Sequence, residues 1–349
     1  PYAQRLPTAP QVRFFVSGLT MTTARPLTRR TLLLASASLA ASGLSTLSHA
    51  SAPWPSKPIR MIVPYPAGGV NDVVARMFGD LMAQSLGQPF VVENKPGAGA
   101  TIGMAELAKA NDAHTFAFGA ISPLTLNPYL MPVAYHPLED IQPVASVMYS
   151  PVLVLATTAF AGKTWDDVLA QARTSQGVSV ATSGYGTLAH IMVEQLIRAT
   201  GGNFVHVPYK GGSQLITDAA GAQFDLLLAN PFAPINALIE QGKLRVLATT
   251  GPARPATYPQ LPTLGELGFD KANLVSMFGF YAPSNTPPEV VERFNQEVQR
   301  LLATSDMQQR LRKLDNTPHP MSVEDFTAAI RRDYALNGVL IEKAGIKAQ

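Results

Sequence analysis

Two segments of this chain bring uncovered backbone donors and hydroxyls to places where an anion can be held. The first, Pro64-Tyr65-Pro66-Ala67-Gly68-Gly69-Val70-Asn71-Asp72, joins a β-branched run to an amphipathic one. Gly68 and Gly69 tolerate positive φ and leave N–H groups uncovered, and Asn71 or Asp72 is placed to cap the helix that follows. The second, Thr182-Ser183-Gly184-Tyr185-Gly186-Thr187-Leu188-Ala189-His190, repeats the plan and adds the Ser183 and Thr187 hydroxyls. The first N–H groups of a helix lack intrahelical partners and sit at the positive end of the helix dipole. Each segment is therefore an anion site without a formal cation. Taken singly, each also reads as a tight turn that needs glycine for geometry alone. Together they accommodate an elongated molecule with a carboxylate at each end, one per helix start.

Other chemistry fits these residues less well. Gly184 and Gly186 alone do not complete a dinucleotide fingerprint, and no Lys-Ser/Thr pair follows them as a phosphate loop requires. A secreted hydrolase using Ser183 or Thr187 with His190 is the rival reading. Ser183 precedes the helix that carries His190, and no Gly-x-Ser-x-Gly elbow frames it, so His190 is read as a packing or hydrogen-bonding residue. His114, His136, His190, His206 and His319 show no paired-ligand spacing. Without cysteine there is no disulfide, thiolate nucleophile or Cys-ligated zinc. No cofactor is expected. A third glycine-bearing segment, Asn94 to Gly103, is read as backbone packed closely against a sheet, with a donor role second.

The elements that position these segments follow from periodicity. Ile59–Val63, Phe90–Val92 and Thr115–Phe118 read as strands, alternating with helical faces over 72–86 and 102–110. The alternation returns as helix 165–173, strand 178–182, helix 188–200, strand 204–207, helix 213–222 and strands 224–228 and 244–249. That is the pattern of β-α-β units in a parallel, doubly wound sheet. Two apolar stretches, Met148–Thr158 and Leu274–Tyr281, read as crossings between lobes. Thr286 is expected to cap a helix with Pro287 and Pro288 in its first turn, and a last helix spans 323–343. The expected domains are lobe 1, residues 53–154 and 275–349, and an inserted lobe 2, residues 155–274, with a cleft that can hinge.

Of the 349 residues, 46% are hydrophobic and 15% charged, a balance that excludes a disordered chain. The formal charge of +3 comes from the first fifty residues, which hold five arginines and no acid. Without them 22 basic residues face 24 acidic ones, a net of −2, so neither nucleic acid nor an anionic lipid surface is an expected partner. Arg29-Arg30 before the diluted apolar run Leu32–Leu47 reads as a cleaved, twin-arginine-like signal over residues 21–50, too short and polar for a membrane span. Residues 1–20 are read as an upstream extension. The expected location is the periplasm, with no direct membrane insertion.

Several motifs then carry a resemblance. Trp54-Pro55-Ser56-Lys57-Pro58-Ile59-Arg60, Val63 to Gly69 with Asp72, Leu86-Gly87-Gln88-Pro89 and Val92 to Gly99 occur in order. So do Val207-Pro208-Tyr209-Lys210-Gly211, Gly242-Lys243-Leu244-Arg245, Leu261-Pro262-Thr263 and Ala282-Pro283. Over residues 53–349 the chain resembles the Bug-type receptors, the extracytoplasmic solute-binding subunits of tripartite tricarboxylate transporters. The resemblance implies an α/β, type II periplasmic-binding-protein fold: two doubly wound lobes joined by two crossings, with the ligand cleft between them. It implies no catalysis, capture of a small organic carboxylate, and membrane permease subunits as partners. A sensory subunit presenting the same ligand would use the same pocket. Carried onto this sequence, the site is Tyr65, Ala67, Gly68, Gly69 and Asp72 from the first lobe. The second lobe supplies Ser183, Gly184, Gly186, Thr187 and His190, with Tyr209 nearby. Departures fall at Asn230, where relatives often carry Asp, and at Met277, where an aromatic is common. Tyr185 is a bulky residue expected to narrow the pocket or stack on an aromatic ligand.

Overall fold

The computed structural model describes residues 54–209 and 212–344; the signal and the upstream extension lie outside them. The strands are β1 (Ile59–Val63), β2 (Phe90–Asn94), β3 (Thr115–Ala120), β4 (Ile141–Ser150), β5 (Leu153–Thr157), β6 (Val178–Thr182), β7 (Phe204–Pro208), β8 (Leu226–Ala229), β9 (Leu244–Ala248), β10 (Ser276–Pro283) and β11 (Thr317–Pro318). The main helices are α1 (Val70–Leu86), α2 (Thr101–Ala108), α3 (Trp165–Ala172), α4 (Leu188–Thr200), α5 (Gly212–Ala220), α6 (Ala233–Glu240), α7 (Pro288–Leu302), α8 (Ser305–Lys313) and α9 (Val323–Ala344). Two one-turn helices, Ser122–Thr125 and Asn127–Leu130, follow β3.

A six-stranded sheet runs in the order β11-β4-β10-β3-β1-β2, and a five-stranded sheet in the order β7-β6-β8-β5-β9. Each is covered on both faces. On the six-stranded sheet, Phe78 of α1, Phe294 of α7 and Met307 of α8 fill one side, and Met104 and Leu107 of α2 with Phe326 and Ile330 of α9 fill the other. The five-stranded sheet has Val168, Met192 and Leu196 beneath it and Leu215, Ala219, Ile235 and Leu238 above. Ile191 of α4 meets Ile341 of α9 in a smaller cluster. Among the described residues no helix is long and apolar enough to cross a membrane.

The all-parallel expectation needs correction. β1 is parallel to β2 and β3, and β6 to β7 and β8. By contrast β10 runs antiparallel to β3 and β4, and β5 antiparallel to β8 and β9. The stretches read as crossings are mostly strand: β4 and β5 are separated only by Pro151 and Val152, and β10 starts at Ser276. A chain passing straight from one sheet into the next has no crossover helix to turn it parallel. A second correction concerns α7. Its N-cap is Pro287, without a side-chain cap bond, and Thr286 is buried with its hydroxyl unpartnered.

Phe294 is fully buried, stacks on Phe116 with centroids 4.2 Å apart, and meets Phe280 edge-on at 5.1 Å. Phe294→Ala is expected to destabilise the protein by about 3–5 kcal/mol, the transfer loss plus the cavity left behind. Urea unfolding measures it; a change below about 1 kcal/mol would show that the aromatic cluster is not the centre of this core.

Candidate functional site

A cavity of about 260 Å³ is lined by the first glycine segment, from Tyr65 to Asn71, and by Ser183, Thr187, Leu188 and Ala189 of the second. Both segments leave the carboxyl end of a parallel strand, β1 or β6, and enter a helix, α1 or α4, which is where doubly wound sheets offer their ligand crevice. Of the site residues expected from sequence, Tyr65, Ala67, Gly68, Gly69, Ser183 and Thr187 stand on the cavity wall. Asp72, Gly184, Gly186, His190 and Tyr209 do not line it, and the structure gives each of them supporting contacts instead.

The two helix starts differ. The N-cap of α1 is Gly69, which has no side chain to satisfy the first turn. The first helical N–H to find a carbonyl is that of Val73, donating to Gly69 at 3.0 Å, so the N–H groups of Val70 and Asn71 point out of the helix with no cap to meet them. Neither Asn71 nor Asp72 caps the helix as expected. Asp72 accepts from the Gly68 N–H at 2.9 Å, from Arg76 Nε at 3.0 Å and from Asn94 Nδ2 at 3.0 Å. Burial raises the Asp72 pKa, but the bonds from Arg76, Gly68 and Asn94 outweigh it and hold the carboxyl below its ordinary value. It stays ionised at neutral pH and braces the loop from behind. Tyr65 packs against the same core; burial raises its phenol pKa, and the Ala120 backbone donates to its oxygen.

At α4 the start is capped. Thr187 Oγ1 accepts from the His190 N–H at 3.3 Å and donates to the Gly184 carbonyl at 2.8 Å. Gly184 N–H goes to Thr182 Oγ1 at 3.2 Å, and Gly186 N–H to His190 Nδ1 at 3.4 Å. What remains for a ligand is the Ser183 side chain and the N–H groups of Leu188 and Ala189. Behind the loop, His190 and His206 stack with centroids 4.5 Å apart and planes 13° apart. Tyr185 meets both edge-on at 5.1 Å, so it packs on the histidine pair and is not among the cavity-lining residues. His206 Nε2 lies 2.7 Å from Thr182 Oγ1. Burial pushes both imidazoles down to about 4, with repulsion from His190 adding to the shift at His206. Both are neutral at pH 7.

No hydrogen bond joins the Ser183 or Thr187 hydroxyl to the His190 ring among the described residues; the Thr187 hydroxyl hydrogen is committed to Gly184. The nucleophile–base pairing that a hydrolase needs is not formed, and that reading is not favoured. The described residues contain no group of three or more potential metal ligands. Tyr209 OH donates to Asp218 at 2.7 Å, fixing α5.

The departure at residues 227–230 was expected to remove a polar contact, and Asn230 corrects that expectation. It lines the cavity, and its amide reaches the Pro151 carbonyl at 2.9 Å and Ser276 Oγ at 3.1 Å. One side chain thus ties together both places where the chain passes between sheets. The signal available was a polar residue ending the apolar run Leu226–Ala229. Gly99 of the third segment also lines the cavity; its carbonyl accepts from Asn127 Nδ2 at 2.7 Å. A Cβ on Gly99 would lie 2.8 Å from the Tyr185 carbonyl, and one on Gly186 2.6 Å from Asn127 Oδ1. Glycine at these two positions lets the rims of the cleft touch.

A family profile described as "Tripartite tricarboxylate transporter family receptor" matches residues 74–346. The chain is 34% identical to Protein BugT of Bordetella pertussis over 253 residues, 71% of this chain and 77% of that protein. Among solved structures it is similar to a Rhodopseudomonas palustris protein with adipate, at 28% identity and TM-score 0.80, covering 85% of this chain and all of that one. It is also similar to MatC of the same organism with bound malate, at 27% identity and TM-score 0.76, covering 82% and 100%.

Two predictions follow from the site's supports. Because the folded histidines titrate near 4 and unfolded ones near 6.5, the unfolded chain holds more protons between those values, and stability falls as pH drops through that window. His206→Gln is expected to flatten the slope of melting temperature against pH between about 6.5 and 4; an unchanged slope would mean the ring is not held neutral. Asn230→Ala is expected to cost about 1–3 kcal/mol by leaving buried partners unpaired, read as a lower denaturation midpoint.

Proposed function

This chain belongs to the receptors of the tripartite tricarboxylate transporter family, of Bug type, and we propose on that premise how its cleft works. It is a periplasmic solute-binding receptor that captures a small organic carboxylate for a membrane permease, as the adipate-bound and malate-bound relatives support. The observation that carries the proposed mechanism is the uncapped start of α1 on the cavity wall. Its unpartnered N–H groups need an acceptor, and a carboxylate is the acceptor that the helix dipole also favours. Tyr65, Ala67, Gly68 and Gly69 contact the solute from one wall and Ser183 and Thr187 from the other. Asp72, Gly184, Gly186, His190 and Tyr209 hold those loops in shape. Residues 53–154 and 275–349 form one lobe and 155–274 the other, with Pro151–Val152 and the approach to β10 as the moving joints. The leader at 21–50 delivers the chain to the periplasm and is then removed.

The test is ligand-dependent stabilisation across mono-, di- and tricarboxylates, aromatic acids and acidic amino acids. A bound acid at 100 times its Kd adds about 2.7 kcal/mol to the unfolding free energy. Gly69→Val is expected to weaken that binding by about 1.5–3 kcal/mol, one charge-assisted hydrogen bond. A Cβ there meets only the Pro66 carbonyl at 3.4 Å, so the ligand-free melting temperature should change little. No shift with any acid would overturn the receptor mechanism.

A further inference from the structure

The cavity keeps its donors and its apolar surface on different elements. Most donors belong to the two glycine segments: the N–H groups at the start of α1, and Ser183 with the first N–H groups of α4. Ser122 adds a hydroxyl, and the other polar lining residues, Asn230 and Ser276, are bonded to each other. Away from these loops the lining includes Leu215, Ile216, Leu228 and Phe232. Leu215, Ile216, Ala229 and Phe232 belong to one packed cluster, so they form a continuous wall. A third helix start, that of α6, also reaches the cavity, but it presents Phe232 as its N-cap and Pro234 in its first turn. Proline has no N–H to offer. None of the described lining residues is Lys, Arg, His, Asp or Glu.

A second carboxylate laid against that wall would lose its hydration without gaining a cation, a cost that buried anions do not bear unpaired. The α4 start, whose third N–H is taken by Thr187, offers it only Ser183 and the Leu188 and Ala189 N–H groups. At the donor end the lining is polar: beside the unmet N–H groups of α1, Asn71 is only 7% exposed and lines the cavity. Its buried amide oxygen is an acceptor without a donor, a place for a water or a solute O–H or N–H and not for the carboxylate itself.

We infer that the solute is a monocarboxylate with an apolar, branched or aromatic body: the carboxylate sits at the Gly69–Asn71 helix start and the body lies on the Leu215–Ile216–Phe232 wall. This rests on the receptor reading above and narrows it, replacing the expectation of one anion per helix start.

Isothermal titration of the full chain with 4-methylpentanoate, phenylacetate, adipate and the neutral phenylacetamide tests it. The two monocarboxylates should bind tighter than adipate by about tenfold or more, and phenylacetamide should lose a similar factor relative to its acid. Adipate binding as tightly as either monoacid would overturn the inference while leaving the receptor mechanism intact. Binding of none of them, nor of any acid in the stabilisation screen, would overturn both. Ile216→Arg adds a cation to the half-buried wall and should shrink or reverse the lead over adipate; an unchanged preference would count against the wall's role. Lys210 lies outside the described residues, so Lys210→Met is titrated alongside. Its preference should match the wild type, and a selective loss of adipate affinity would show a second charge partner and overturn the inference.

Discussion

The constraint from which the site follows is an unmet hydrogen-bonding requirement at one helix start. Gly69 ends the loop and caps α1 without a side-chain acceptor, so the first N–H groups of that helix have no partner from the protein. Every neighbouring feature keeps that deficit open. Asp72, the carboxylate in the first turn, is turned away by Gly68, Arg76 and Asn94. Asn94 in turn donates to the Tyr65 carbonyl at 3.1 Å, which fixes the strand-to-loop exit. The loop is therefore rigid and electrostatically positive without carrying a cation, and it stands at the strand end where the fold leaves a crevice.

The second helix start shows what satisfaction looks like on the same plan. Thr187 fills the cap position, and His190 and Thr182 absorb the N–H groups of Gly186 and Gly184. Its stiffness comes from a neutral, buried histidine stack instead of from charge. The two loops are thus not equivalent halves of one clamp. The first is uncapped, and the second has its third N–H taken by Thr187 while Ser183 and the Leu188 and Ala189 N–H groups stay available.

Much of this was legible in the sequence because local periodicity decides local structure. β1 and β6 are found at 59–63 and 178–182 as expected, and α4 at 188–200. Gly-Gly and Gly-x-Gly directly after a strand mark loops that must turn sharply into a helix. What escaped were features set by distance along the chain. β4 and β10 are buried almost throughout, so they lack the alternation that reveals a half-exposed strand, and the prolines at 143, 151 and 283 argue locally for a connector. Asn230 meets Pro151 from 79 residues away, and Asn127 meets Gly99 from 28. No window of sequence contains either pair, although each residue type is one that bonds exposed carbonyls.

An anion receptor that lines its cavity with amides in place of arginines gains in the empty state. A desolvated guanidinium left without its anion would be costly, whereas a helix start in an open cleft is hydrated by water at little expense. Partial charges fixed in a backbone cannot swing away to pair elsewhere, so the site needs no rearrangement to receive the solute. Were the cleft to close over a solute, the exclusion of water would strengthen the same dipoles, and reopening would weaken their hold. Binding strength would then be coupled to the separation of the two sheets, which Asn230 ties at both passages of the chain. A carrier that must grip a solute and later surrender it requires that coupling, and a fixed formal charge in the cavity would work against the release.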